Sequence, residues 1–355
     1  MTAALPTAPP PRDARRPGRV LVVGATGTIG RATVRALAQD GHEIVCFVRP
    51  RRGTGRPGTL GTPHPDALAF PDADTVGITM RVVDVGDPAS VARDGFGVHA
   101  GERFDAVISC LASRTGAPAD AWAVDYQAHV HVLEAARRAN VGHFVYLSAI
   151  CVQKPRLAFQ HAKLAFERRL AGSGVPYSIV RPTAFFKSLS GQVARVRRGK
   201  PFLVVGDGMR TACKPIADAD VAAYLVGCLD DPARRDRVLP IGGPGAAITP
   251  RQQGELLFAL LGRPPRFTHV SPRLLDSIAG TLGALARVVP PLAPTAELAR
   301  IGRYYATESM LVWDASAGRY DADATPSVGR GTLDAHYRAL LSGEAAAGLG
   351  AHAVF

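Results

Sequence analysis

The chain has 355 residues, 47% hydrophobic and 20% charged, enough to bury the core of one large α/β unit or of a nucleotide domain with a smaller lobe. Its formal charge of +12 suits an anionic cofactor, an anionic substrate or an acidic membrane face, or else an arginine-rich solvated surface. Zinc-finger spacing, basic heptad helices and aromatic RNA-binding signatures are all missing, which argues against nucleic acid. The cysteines Cys46, Cys110, Cys151, Cys213 and Cys228 are scattered and never form a C-x-x-C pair. That argues against a disulfide framework, a zinc site and a cysteine-held cluster and fits a reducing cytoplasm; no protein-held metal is predicted.

Residues 1–18 are rich in Pro, Ala and Arg and read as a disordered tail without a secretory signal. Arg19 to Val23 is a short apolar run, as in a strand buried on both faces. A Gly-rich turn follows, then a helical pattern over Arg31 to Gln39 that stops at Gly41, then a second strand, Glu43 to Val48. Residues 50–79 are loop-like. Further strands are predicted at 80–83, 104–110, 143–147 and 177–180, with helices over 119–139 and 158–171 between them. Strands alternating with helices predict an α/β fold with a Rossmann-type doubly wound parallel sheet. Its nucleotide domain spans 19–185. A smaller C-terminal substrate lobe over 186–355 carries helices near 218–229, 250–261 and 272–287, and a strand near 238–241 returns to the main sheet. The uncharged stretch from Ser277 to Ala286 is too short to span a bilayer, and predicts a buried helix or a lining for a greasy ligand.

The turn is Gly24-Ala25-Thr26-Gly27-Thr28-Ile29-Gly30. Its glycines let the backbone approach a pyrophosphate, which then sits on the helix N-terminus. The G-x-x-G-x-x-G spacing resembles the short-chain dehydrogenase superfamily. Arg49, just after the second strand, suits the 2′-phosphate of NADP, and Arg51 and Arg52 add to it; the bland alternative is solvated loop charge. Asp84 is a candidate adenine contact or a turn residue. Residues 109–112 and Pro182 fall at strand ends where a cofactor lies.

Ser148 ends the fifth strand, and Lys163 follows fifteen residues later within Phe159-Gln160-His161-Ala162-Lys163. In typical short-chain dehydrogenases this region carries Ser and then Tyr-x-x-x-Lys, with the Tyr as proton donor. Phe159 stands at the Tyr position here. Carbonyl or alcohol redox is therefore disfavoured, while Lys163 and Ser148 stay as catalytic candidates, Lys163 also as a ribose ligand.

The segments LSAICVQKP (147–155), FQHAKLAF (159–166), YSIVRPTAFFKSL (177–189), CKPI (213–216), LPIGGPG (239–245) and IGRYYATESML (301–311), with the Gly-rich turn, resemble the single-subunit, NADPH-dependent divinyl chlorophyllide 8-vinyl reductases, an atypical, NmrA-like branch of the short-chain dehydrogenases. The resemblance implies reduction of the 8-vinyl group of a divinyl chlorophyllide to ethyl with NADPH, in chlorophyll or bacteriochlorophyll synthesis. A vinyl group conjugated to a macrocycle can take a hydride at its terminal carbon and then needs one proton, which fits Phe159. Phe185, Phe186, Tyr304 and Tyr305 are expected at the pigment or the nicotinamide, with ordinary core packing as the alternative. Arg195, Arg197, Arg198 and Lys200 form either a solvated helix face or a contact for a propionate or an acidic membrane, so the protein is placed in the cytoplasm or peripherally on a membrane. Two other readings are an isoflavone-reductase-like C=C reductase and an NADP-sensing regulator without turnover.

Overall fold

The computed structural model of the chain describes residues 18–50, 77–99 and 101–344. The tail read as disordered, apart from Gly18, and the candidates Arg51 and Arg52 lie outside the described residues.

The strands are β1 (Arg19–Val23), β2 (Glu43–Val48), β3 (Ile78–Val82), β4 (Ala106–Ser109), β5 (His143–Leu147), β6 (Tyr177–Pro182), β7 (Phe202–Val205), β8 (Arg237–Ile241) and β9 (Phe267–Val270). Seven of them form one sheet in the order β3-β2-β1-β4-β5-β6-β8, every neighbour parallel. Both faces of the sheet are covered, which is why β1 and β2 read as continuous apolar runs. Val20 and Val22 of β1 join the core beneath helices α1 (Thr28–Gln39) and Asp218–Gly227. Leu21 and Val23 join the opposite core with Val132, Leu133, Phe166 and Leu170.

Strand order reverses between β1 and β4, so their carboxyl ends open a crevice. The helix expected over 119–139 is present as α2, running from Pro118 to Arg138, but its middle turns, Trp122–Ala128, are π-helical. Such wide turns gather at functional sites. Helix α3 (Ala158–Ala171) follows β5.

Beyond β6 the chain leaves the sheet and returns once, as β8 beside β6. The remainder builds a second core around Phe186, Phe202, Leu257, Phe258 and Tyr337. In chain order its longer helices are α4 (Asp218–Gly227), α5 (Pro250–Leu260), α6 (Pro272–Val288), α7 (Ala293–Thr307) and α8 (Leu333–Ser342), with β7 and β9 as a separate parallel pair. The uncharged stretch 277–286 lies inside α6 and departs from expectation. Ala279 and Gly283 are buried, but Ile278 and Leu285 are exposed, because α7 packs against one side of α6 only. Among the described residues no helix is long and apolar enough to cross a membrane, and no cluster of three His, Cys, Asp or Glu could hold a metal.

The Gly-rich turn is held by two close backbone approaches. Gly24 has φ +80, and a Cβ there would lie 2.7 Å from the Cys110 carbonyl carbon; a Cβ on Gly30 would lie 2.1 Å from the Gly24 oxygen. Gly30→Ala is therefore expected to cost about 1–3 kcal/mol in urea denaturation, with α1 displaced from the turn. An unchanged unfolding midpoint would show that the turn yields more easily than this packing implies.

Candidate active site

A cavity of about 1150 Å³ opens at the carboxyl ends of the sheet and runs under the second core. Small-molecule pockets are commonly ~300–1,000 Å³, so this one has room for a dinucleotide and a second ligand. Its two ends differ in chemistry.

One end is built for an anion. Gly24, Thr26, Gly27, Thr28 and Ile29 line it, with Arg49 and Arg114 at the wall. Helix α1 starts here with no side-chain cap and no acid in its first turn, so its first N–H groups and dipole are left for a phosphate. Lys187, which the sequence reading passed over, donates from Nζ to Thr28 Oγ1 at 2.9 Å and brings a further cation to the turn. Gly30 does not line the cavity; its close approach to Gly24 makes it a packing residue. Asp84 falls between Val83 and Val85, which line the cavity. It is exposed, and its Oδ1 accepts the Gly86 N–H at 2.9 Å, which shapes its own turn.

The floor comes from one face of α3. Phe159, Lys163 and Glu167 are spaced four apart and so stack along that face. Phe159 and Lys163 line the cavity, and Glu167 lies buried behind them. Lys163 Nζ is 3.2 Å from Asp125 Oδ1, with both side chains almost wholly buried. Burial works against the ammonium, but Tyr146 and Asp125 outweigh it and hold its pKa above the ordinary lysine value. Asp125 Oδ1 also accepts the Ser113 N–H at 3.3 Å, and Oδ2 has no partner. A buried ammonium at the cavity floor, held in place by Asp125, fits a hydroxyl of a ribose. With the glycine cradle and the cations, these residues fit a bound nicotinamide dinucleotide.

Ser148 lines the cavity, but its hydroxyl donates to Glu167 Oε1 at 2.5 Å. Arg181 clamps the same carboxylate, with Nε donating at 3.0 Å and Nη2 as a second donor. Ser148 therefore ties a part-buried ion pair to the strand end, and its proton is already committed. Asp125 and Glu167 gave little signal in sequence, since a lone acid in a long helix usually faces water; only the π-helical turn and the sheet bring them inward.

The other end of the cavity is apolar, lined by Phe185, Leu189, Phe202, Ile248, Leu275, Tyr305 and Met310. Phe185 and Pro182 line the cavity. Phe186 does not, because it packs in the second core against His336. Nor does Tyr304, whose hydroxyl donates to the carbonyls of Cys151 and Lys154 at 3.1 and 3.2 Å; its neighbour Tyr305 reaches the cavity instead. Of the basic run, Arg195 lines the cavity, while Arg197, Arg198 and Lys200 are exposed.

Residues 24–232 match the NAD(P)H-binding family. Over 98% of its length the chain is 46% identical to the chloroplastic divinyl chlorophyllide a 8-vinyl-reductase of Oryza sativa subsp. indica, covering 86% of that protein. The chain belongs to this reductase family. The Arabidopsis thaliana member is 43% identical over 89% of the chain and 75% of its own length. The fold alone is shared with an NADPH-dependent quinone oxidoreductase of Escherichia coli solved with NADPH, at TM-score 0.60 and 18% identity over 90% of this chain and 99% of the other. The family's Rossmann architecture agrees with the seven-stranded sheet.

Beneath Lys163, the His129 ring packs edge-on to Tyr146 and against Phe166, and its Nδ1 lies 2.9 Å from the Val124 carbonyl. Burial, with the Lys163 charge adding to it, lowers its pKa from 6.5 to about 4. The unfolded chain thus binds a proton that the folded chain refuses between these values, and stability falls as pH drops through that window. Burial lowers His143 to about 4 in the same sense. Each histidine is expected to remove ~3 kcal/mol on going from pH ~7 to ~4. Urea titrations across this range should show the loss, and His129→Phe should remove about half of it.

Proposed function

We propose that this protein reduces the 8-vinyl group of a 3,8-divinyl chlorophyllide to ethyl with NADPH, in chlorophyll or bacteriochlorophyll synthesis. The observation that carries the proposal is a single cavity with a cationic, glycine-cradled end and an apolar end, in a chain that matches the reductase family over nearly its whole length.

NADPH supplies the hydride. The chain's residues do the rest. Gly24 to Ile29 and Lys187 hold the pyrophosphate on the start of α1, and Arg49 takes the 2′-phosphate. Lys163, positioned by Asp125, donates to a ribose hydroxyl, which orients the nicotinamide. Phe159, Phe185 and Tyr305 hold a flat apolar ring system and exclude water. As hydride adds to the terminal vinyl carbon, negative charge spreads into the macrocycle, and no strong acid is needed to polarise it. One proton then completes the ethyl group: the Lys163 ammonium starts the water-mediated relay and takes a proton back from solvent. Residues 19–185, with Lys187, carry the cofactor, and the later lobe, with Phe159 and Phe185, carries the pigment. The basic surface supports peripheral membrane contact.

Purified protein with NADPH and divinyl chlorophyllide is expected to give the 8-ethyl product, followed by absorbance and mass. Cofactor bound without any ethyl product would overturn the proposal. Lys163→Ala is expected to lower turnover ~10²-fold or more, and normal turnover at unchanged NADPH affinity would remove Lys163 from the mechanism. Arg49→Gln is expected to raise KM for NADPH ~10-fold, the weight of one charge-assisted contact, with NADH little affected.

A further inference from the structure

Helix α6 has two apolar faces, and only one is covered. At about 100° per residue, Ala279 and Gly283 turn towards α7 and are buried. Leu274, Ile278, Thr281, Leu285 and Val288 follow at spacings of four, three, four and three, inside an arc of about 80° on a different face. Leu274 is 52% exposed, Ile278 42%, Leu285 46% and Val288 80%, and Val289 extends the stripe at 39%. No charged residue falls within the arc. Scattered exposed apolar residues are ordinary, but an ordered stripe along a whole helix is not.

Two observations identify what covers it. The stripe begins at the rim of the active-site cavity, since Leu274 is exposed while its neighbour Leu275 lines the cavity. The strand leading into α6 starts beside a cluster of cations. Phe202 N–H donates to the Arg266 carbonyl at 2.8 Å, which sets Lys200 next to Arg266, and Arg263 reaches the Arg197 carbonyl at 3.3 Å. Arg197, Arg198, Lys200, Arg263 and Arg266 are all exposed, and none has an acidic partner among the described residues. The four-residue strands β7 and β9 separate this cluster from the start of α6 by roughly 15 Å.

An uncharged apolar stripe with unpaired cations nearby matches the anionic face of a lipid bilayer, apolar side chains entering the acyl boundary and cations meeting headgroup phosphates. We propose that α6 docks the protein on an anionic bilayer and that an apolar pigment enters the cavity from the lipid past Leu275. A second copy of the chain fits less well. A stripe about 25 Å long and ~10 Å wide offers roughly 250 Å², against ~800 Å² per partner in a stable dimer. The pigment route rests on the function proposed above; the docking does not.

The test uses the full chain and vesicles of phosphatidylcholine, with and without phosphatidylglycerol. The protein is expected to co-sediment with the anionic vesicles, weakly with the neutral ones, and to be released by salt. The double variant Ile278→Gln/Leu285→Gln, at exposed positions outside the cavity, should lower the bound-to-free ratio at least ~10-fold. Its circular dichroism and its turnover of detergent-dispersed pigment should stay unchanged; turnover reads the functional proposal separately. Wild-type protein left in the supernatant with anionic vesicles, or a double variant that sediments equally well, would overturn the docking. So would a wild-type dimer that the double variant splits, with no vesicle binding by either, because the stripe would then be a self-contact.

Discussion

Two ion pairs, the buried Lys163–Asp125 and the part-buried Arg181–Glu167, form the base on which the candidate site is assembled. Removing one partner from such a pair leaves a stranded charge and costs roughly 3–5 kcal/mol, so each pair constrains the elements that carry it. Lys163 and Glu167 share one face of α3, Asp125 comes from the wide turn of α2, Arg181 from the end of β6 and Ser148 from the loop after β5. The cavity floor is therefore a junction of four elements whose relative positions are tied by charge. This also explains why α2 widens where it does. A regular turn would aim Asp125 differently, and Lys163 would lose its partner.

The cavity places positive charge at one end and apolar surface at the other. Arg49, Arg114 and Lys187 gather near the Gly-rich turn, where α1 adds its own dipole. Phe159 stands at the boundary, one helical turn from Lys163. A phenol there would bring a second proton donor beside Lys163, whereas a phenyl ring leaves an apolar surface at the cavity wall. Ser148 is drawn in the same direction, since its hydroxyl serves Glu167. The arrangement favours orientation and exclusion of water over polarisation of an oxygen, as reduction of a conjugated carbon–carbon double bond requires.

The later half of the chain both closes this cavity and carries the exposed stripe of α6. Leu274 and Leu275 are adjacent, yet one faces out and the other lines the cavity. Any event at the outer face of α6 is thus one residue away from the apolar end of the site.

What the sequence by itself determined is whatever local pattern encodes: the apolar runs of β1 and β2, the glycine spacing that only a close backbone approach explains, the helical periods of α1 and α3, and the Phe159–Lys163 spacing. Long ordered segments added the family. Only the tertiary structure decided which side chains meet. Phe185 and Phe186 are neighbours in the chain, as are Tyr304 and Tyr305, and one of each pair reaches the cavity while the other serves packing or a backbone contact. Asp84 holds its own turn through the Gly86 N–H, and Gly30 is fixed by its close approach to Gly24. Asp125, Glu167 and Lys187 gain their importance from partners 38, 19 and 159 residues away, a separation that no local pattern records. The uncharged stretch in α6 read as buried because composition reports apolarity but not coverage, and coverage depends on where α7 packs.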